Sequence, residues 1–513
     1  MRKASECDEI CIVKQSGRKI DRRNFLGALG VGAASLPLIL LESRCGRSRR
    51  RPNIISILAD DLGYGEVGCY GQTKIRTPNI DRLAAAGIRF SQFYSGSPVC
   101  APSRCVLLTG KHTGHSYIRD NDEMRERGDV WHDPSLEGQR PLLPGTTTIG
   151  TILQGAGYAT AAIGKWGLGG PASSGEPNRQ GFDLFYGYLC QRVAHNYYPT
   201  HLWRNGKKQI LEGNTYFYPH QKFPVDRDPH DREAYKAYVG RQYSMDLMTE
   251  EALDFISANK SRPFFLYFAP PIPHAALQVP EDSRGEYEGA FPETPYLGDK
   301  GYLPHRTPRA AYAAMVTRLD REVGRIVAIL DELEIGRNTL IMFSSDNGPT
   351  FNGGTDSAFF QSAGPLRGLK TSLYEGGIRI PFIARWPDRI RPGSVSGHVA
   401  AFWDVLPTLT DILGLKPPPE IDGVSFLPTL RGHSERQELH DALYWEYSGG
   451  QAVRFGDWKA IRPRADASLE LYDLKHDIAE KNDVAAERPD VAGKIKEIMA
   501  VARTESDLFP LKR

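Results

Sequence analysis

The sequence predicts an α/β fold: a large, mixed but mostly parallel sheet sandwiched by helices, followed by a smaller C-terminal α+β subdomain built on a short antiparallel sheet. Three observations carry this. Short continuous apolar runs recur along the chain, helix-period segments lie between them, and the texture changes after about residue 430. Uninterrupted apolar runs suit strands buried on both faces of a parallel sheet, and their alternation with helices puts helices on both faces.

Taken in order, residues 1–50 stand apart. Arg18, Lys19, Arg22 and Arg23 precede an uncharged stretch that reaches Leu41, followed by Glu42 and a basic cluster from Arg47 to Arg51. A positive segment before an apolar one is the layout of an export signal. Arg22-Arg23 followed by Phe25-Leu26 resembles the twin-arginine type, whose export machinery carries folded proteins. A membrane span needs roughly 20 apolar residues, and this stretch, rich in Gly and Ala and broken by Pro37, predicts none that is stable. The expected location is periplasmic or extracellular.

Residues 51–430 read as one catalytic domain. Its strand candidates are 53–58, 158–163, 264–268, 339–344 and 378–384. The clearest helix spans 309–335, where Tyr312, Met315, Leu319, Val323, Ile326 and Leu330 recur at steps of three and four before Gly336 stops it. Residues 170–232 and 270–308 are rich in Gly, Pro, Tyr and His and lack periodicity, the texture of long functional loops. Residues 431–513 form the second subdomain: LYWEY, AVRFGDWKAI and LELYDL read as short strands, and 490–502 as an amphipathic helix.

Composition narrows the function. Sixty-four basic against sixty-two acidic residues, a net charge of +2, leave no global field suited to nucleic acid or an anionic surface. Anion binding must be local. Cys7, Cys11 and Cys45 lie in the leader, and the remaining Cys69, Cys100, Cys105 and Cys190 contain no C-x-x-C pair, which removes zinc-ribbon and thioredoxin readings. Pro102 and the run Cys105-Val106-Leu107-Leu108 predict a helix beginning just after Cys100. A thiolate at its positive end is favoured, so Cys100 reads as a bridge half, a buried thiol or an active group.

Polar groups fall just past predicted strands: Asp60-Asp61 after NIISILA, Lys165 after TAAIG, His274 after FFLYFAPPIP, and Asp346-Asn347 after TLIMFSS. In open α/β sheets the ligand crevice lies at those carboxyl ends. Singly, a turn, a helix cap or a packed histidine accounts for each; their joint placement points to one site. Asp60, Asp61, Asp346 and Asn347 offer hard oxygen donors, which suit Ca²⁺ or Mg²⁺ better than zinc. Arg104, Lys111, Lys165, Lys370 and His274 add positive charge. Such a set can hold an oxyanion ester and neutralise charge in its transition state.

Cys100-Ala101-Pro102-Ser103-Arg104 followed by Leu107-Leu108-Thr109-Gly110 resembles the first sulfatase signature, C-x-P-S-R-x-x-L-L-T-G. Gly157-Tyr158-Ala159-Thr160 through Gly164-Lys165-Trp166 resembles the second, and ILADDLGYGEVGCYG, PHAAL, SSDNGP and LKTSLYEGGIRIP resemble further blocks, in the family's order over about residues 52–390. The resemblance is to formylglycine-dependent (type I) sulfatases of the alkaline-phosphatase-like superfamily. It implies that a formylglycine-generating enzyme reads Pro102 and Arg104 and converts Cys100 to an aldehyde whose hydrate carries two hydroxyls. It further implies that Asp60, Asp61, Asp346, Asn347 and the modified Cys100 hold Ca²⁺, with Mg²⁺ as the alternative. Arg104 then steadies the hydrate, Lys165, His274 and Lys370 grip the sulfate, and His274 or Lys370 protonates the leaving alcohol. One hydroxyl attacks sulfur; the other later expels sulfate.

One position departs from the pattern. The second signature usually continues Gly-Lys-x-His-Leu-Gly, and here Gly167 stands in place of the histidine. His195 and His201, in QRVAHNYYPTHLW, are the nearest substitutes expected to meet the substrate. The aromatic residues between Tyr186 and Tyr218 suit stacking on sugar faces, with about half of them expected to pack the loop instead. A sulfated glycan is therefore the expected substrate. The rival readings are a phosphodiesterase or phosphonate monoester hydrolase on the same fold, and a non-catalytic glycan-binding relative.

Overall fold

The apolar runs become strands of one eleven-stranded sheet in the computed structural model, which describes residues 51–122 and 137–511. In chain order these are β1 (Asn53–Ala59), β2 (Ile88–Tyr94), β3 (Ala159–Lys165), β4 (Leu184–Tyr188), β5 (His201–Arg204), β6 (Lys207–Ile210), β7 (Phe264–Ala269), β8 (Thr339–Ser345), β9 (Arg379–Arg385), β10 (Ser394–Ser396) and β11 (Ala400–Ala401). Across the sheet the order is β10-β2-β9-β8-β1-β7-β3-β4-β5-β6, with β11 beside β2. The five strands β8, β1, β7, β3 and β4 run parallel, and β9, β5 and β6 join antiparallel.

Alternate residues of β1 feed opposite layers, as the period of a strand requires. Ile54 and Leu58 enter one core with Leu107 and Leu406, whereas Ile55 and Ile57 enter the other with Met248 and Leu319. The first layer carries the helices Cys100–Thr109 and Val405–Leu413; the second carries Pro78–Ala85, Ser244–Ala258 and Pro308–Glu332. The last of these starts on Pro308, whose fixed φ suits a first helical turn. It buries the predicted stripe from Tyr312 to Leu330; trimming Leu319 to alanine there costs about 2–5 kcal/mol.

The stretch 170–232 is not wholly loop. It contains β4, β5 and β6, which extend the sheet to its edge. Their sequences LFYGY, HLWR and KKQI lack a continuous apolar run because they approach the rim, where KKQI is exposed throughout. Of the aromatic residues between Tyr186 and Tyr218, about half of them expected to pack, Tyr186, Tyr188, Tyr197, Tyr198 and Trp203 are buried.

The C-terminal sheet, β12 (Leu443–Tyr447), β13 (Gly450–Phe455), β14 (Trp458–Arg462) and β15 (Glu470–Asp473), is antiparallel in simple order, with the helix Pro489–Val501 on one face. It shares one compact unit with the large sheet. Lys459 of β14 joins them: its Nζ lies 3.0 Å from Glu375 Oε1 and 3.3 Å from Glu480 Oε1, all three side chains being buried. Arg379 Nη1 meets Glu375 at 3.1 Å, and the Tyr94 hydroxyl donates to it at 2.8 Å. The expected export signal at 1–50 lies outside the described residues. Among those described, no helix is long and apolar enough to cross a membrane, and Cys69, Cys100 and Cys105 are free thiols.

Candidate active site

Four adjacent parallel strands end on one edge and deliver the predicted groups together. Asp60 and Asp61 follow β1, Lys165 ends β3, His274 follows β7, and Asp346 and Asn347 follow β8. Asp61 turns the chain at a φ of 64°, a left-handed conformation that Asp tolerates better than most residues. Its N–H then donates to Asp346 Oδ1 at 3.1 Å. The helix Cys100–Thr109 enters from the side, its first-turn Ala101 N–H satisfied by Asn121 Oδ1 at 3.0 Å.

Cys100 Sγ lies 3.6 Å from Asp60 Oδ1 and 3.5 Å from Lys370 Nζ. One turn on, the fully buried Arg104 donates through Nε and Nη2 to Asp346 Oδ2 at 3.0 and 2.8 Å, and through Nη1 to the Lys165 carbonyl. Lys165 Nζ meets Asp60 Oδ2 at 2.5 Å, and Lys370 Nζ donates to Asp61 Oδ2 at 2.8 Å. His274 Nδ1 donates to the Ala275 carbonyl, which leaves Nε2 facing Asp61 Oδ2 at 3.5 Å. The Tyr197 hydroxyl clamps that loop through the carbonyls of Pro271 and His274. Three carboxylates thus stand against Arg104, Lys165 and Lys370.

Burial works against charge on every one of these groups, and the neighbours decide the outcome. Asp60 is buried, yet Lys165, then His274 and Arg104, hold its carboxyl below the usual range. Burial followed by the repulsion of Asp60 raises Asp346 to about 6. His274 falls well below an ordinary imidazole because of burial, then Lys370 and Lys165. Burial pushes the Cys100 thiol up to about 12. The helix end therefore does not yield a thiolate: the cost of burying the charge outweighs the dipole.

The donor set fits a hard divalent cation. Asn347 Nδ2 donates to Asp61 Oδ1 at 2.8 Å, while its Oδ1 is buried with no hydrogen-bond partner among the described residues. One ligand atom each from Asp60, Asp61, Cys100 and His274 lies within 4.8 Å of the others, and three carboxylates with an orphaned amide oxygen suit Ca²⁺.

A cavity of about 380 Å³ opens over Cys100, Lys165, His274 and Lys370. It shares Asp120, Asn121, Asp122 and Tyr447 with a neighbouring cavity that continues along the β12–β13 hairpin. His195 lines it and stacks on His274, ring centroids 4.5 Å apart. His201 does not line it. At the start of β5 its Nε2 is taken up by Glu137 at 2.8 Å, a carboxylate that also accepts from Trp203 Nε1, so His201 is a packing residue. Lys111 pairs instead with Glu420. Gln191, Tyr302 and Tyr447 also line the cavity and went unread in the sequence, being neutral side chains without a charge or motif signal.

The sulfatase family model matches residues 52–415, and the C-terminal model of N-sulphoglucosamine sulphohydrolase matches residues 369–504. An N-acetylgalactosamine-6-O-sulfatase of Bacteroides thetaiotaomicron is 29% identical over 538 residues, covering 91% of this chain and 98% of that protein. The N-acetylgalactosamine-6-sulfatase of Canis lupus familiaris is 31% identical over 453 residues, covering 85% and 74%. The crystal structure of Ps i-CgsB in complex with k-i-k-neocarrahexaose superposes with a TM-score of 0.70 at 28% identity, covering 88% of this chain and 93% of that one. The chain belongs to the sulfatase family, and is a sulfuric ester hydrolase.

Proposed function

We propose that this protein is an exported sulfatase that hydrolyses a sulfate ester on a sulfated carbohydrate, using Ca²⁺ and a formylglycine made from Cys100 by a formylglycine-generating enzyme. The observation that carries this is Cys100 on the floor of a cavity, 3.6 Å from the Asp60 carboxylate and 3.5 Å from the Lys370 ammonium. The carbohydrate reading is supported by relatives named N-acetylgalactosamine-6-sulfatases, by the neocarrahexaose complex of Ps i-CgsB, and by a cavity over Cys100 that shares lining residues with a neighbouring one. Arg22-Arg23 and the apolar stretch after them support export by the twin-arginine machinery.

Asp60, Asp61, Asp346, Asn347 and the modified Cys100 hold the metal in this reading. Bound there, Ca²⁺ supplies Lewis acidity and the formylglycine hydrate a hydroxyl nucleophile. Lys165 and Lys370, locked by Asp60 and Asp61, meet the sulfate oxygens as charge already in place, so little rearrangement accompanies the transition state. Arg104 pins the helix of Cys100 to Asp346 and β3. His274, with Nδ1 tied to Ala275, exchanges a proton with the leaving oxygen through Nε2. Burial and then Lys370 and Lys165 hold this imidazole neutral, and an anionic ester beside the two lysines offsets their part of that effect. His195, stacked on His274, stands in for the histidine missing at Gly167.

The test is the mass of the peptide containing Cys100, in protein made by a host with the modifying enzyme, together with rates on a panel of substrates. The reading expects an aldehyde at Cys100 and turnover of sugar sulfates. An unmodified thiol in active protein, or a large preference for a nitrophenyl phosphate diester over nitrophenyl sulfate, overturns it.

A further inference from the structure

Gly167 has a φ of 79°, a left-handed conformation strained for any side chain. A Cβ added there meets Gln191, with Oε1 at 3.2 Å, Cβ at 3.5 Å and Cδ at 3.8 Å. Gln191 therefore fills the room that a side chain at 167 would take. The arrangement is tied down at both ends: Gly167 N–H donates to the Leu189 carbonyl at 3.1 Å, and Gln191 N–H donates to Gln139 Oε1 at 3.2 Å.

Gln191 is 4% exposed and lines the cavity with Cys100, Lys165, His274 and Lys370. Its side-chain Oε1 is buried and has no hydrogen-bond partner among the described residues. Such an oxygen carries a desolvation cost that a ligand's donor removes. Lys165 and Lys370 can only donate, which matches the oxygens of a sulfate group. Gln191 supplies the opposite function, an acceptor that needs an O–H or N–H. A carbohydrate sulfate carries ring hydroxyls within one or two carbons of the ester-bearing carbon, at C4 in a hexose 6-sulfate and at C3 in a 4-sulfate, and an amino sugar adds an acetamido N–H; nitrophenyl sulfate carries neither. The terminal amide torsion of glutamine is broad, so the carbonyl can turn toward such a donor at little cost.

We propose that Gln191 is a specificity-determining residue whose side-chain carbonyl accepts a hydrogen bond from a hydroxyl or amide N–H beside the sulfate ester. The inference rests on the sulfated-carbohydrate reading and deepens it. A pocket built around a substrate hydrogen bond discriminates strongly against analogues that lack the donor.

Gln191→Met keeps length and removes the acceptor, and Gln191→Ala is the second variant. In metal-loaded, aldehyde-bearing enzyme, kcat/KM is measured for N-acetylgalactosamine 6-sulfate, N-acetylgalactosamine 4-sulfate and nitrophenyl sulfate. The expected result is that the ratio of the better sugar sulfate to nitrophenyl sulfate falls about 10- to 100-fold. A ratio that stays within about twofold in a folded variant, or failure of both variants to fold, overturns the inference and leaves Gln191 to loop packing. Wild type that hydrolyses nitrophenyl sulfate but neither sugar sulfate overturns the carbohydrate reading, and this inference with it.

Discussion

Two groups of buried charges in this molecule look alike by composition and behave differently. Around Cys100, three carboxylates face Arg104, Lys165 and Lys370; around Lys459, Glu375 and Glu480 face one ammonium, with Arg379 and Tyr94 filling the remaining positions. Both lie under the surface, and both displace the proton affinities of their members. What separates them is saturation. The Lys459 group closes on itself between two sheets. The Cys100 group keeps an amide oxygen on Asn347 with no partner among the described residues, and it opens to a cavity. Burial and shifted pKa values therefore mark charge networks in general, and what sets this one apart is that Cys100, Lys165, His274 and Lys370 also line a cavity.

The sharpest way to break this comparison is at the nucleophile position. Cys100→Ala is expected to lower turnover of any sulfate ester by about 10⁴-fold or more, measured as kcat/KM. Next, Lys459→Met leaves Glu375 and Glu480 buried without their ammonium and is expected to cost about 3–5 kcal/mol in denaturant unfolding. Calcium separates the two groups: added to chelated protein at about a hundredfold over its Kd, it should restore turnover and stabilise by about 2.7 kcal/mol. It should leave the penalty of Lys459→Met in place. If Ca²⁺ moves neither melting nor turnover, the metal assignment fails.

A smaller effect follows from pH. Burial, reinforced by Glu375, raises Glu480 to about 7, whereas Lys459 and Arg379 overcome burial to hold Glu375 down at about 2. A carboxyl raised on folding contributes stability that is full below its unfolded pKa, near 4.5, and is lost as pH rises through its folded value. Wild type should lose on the order of 1–3 kcal/mol between pH 5 and 8 from this group. Glu480→Gln should flatten that slope in a pH series of melting curves. Glu375 acts in the opposite sense, and its contribution disappears only as pH falls from about 4.5 toward 2. Smallest of all, His201→Gln should cost about 1 kcal/mol through Glu137 and leave turnover within about twofold; a large fall in kcat would return His201 to the site.

The central strands were legible because burial on both faces forces apolar runs, as in NIISILA and FFLYFA. The strand IRFSQFY escaped notice because its polar residues interrupt the run, and KKQI because an edge strand needs no apolar face. Asp60, Asp61, Lys165, His274 and Asp346 could be read because strand ends converge by geometry alone. Gln191 could not, since a neutral amide on a loop leaves no periodic or charge signal. Nor could the pairing of Lys459 with Glu375 be read, because partners 84 residues apart meet only once two sheets have docked.

The burial of the first helical turn also sets an order of events. Cys100 is 2% exposed and Arg104 not at all, its guanidinium already committed to Asp346 and the Lys165 carbonyl. An enzyme that must grip Arg104 while it works on Cys100 can do so only on a chain that has not yet closed over them. The proposed conversion of Cys100 is thus timed before folding and, if the chain leaves the cell already folded, before export as well; a protein that folds first would keep its thiol.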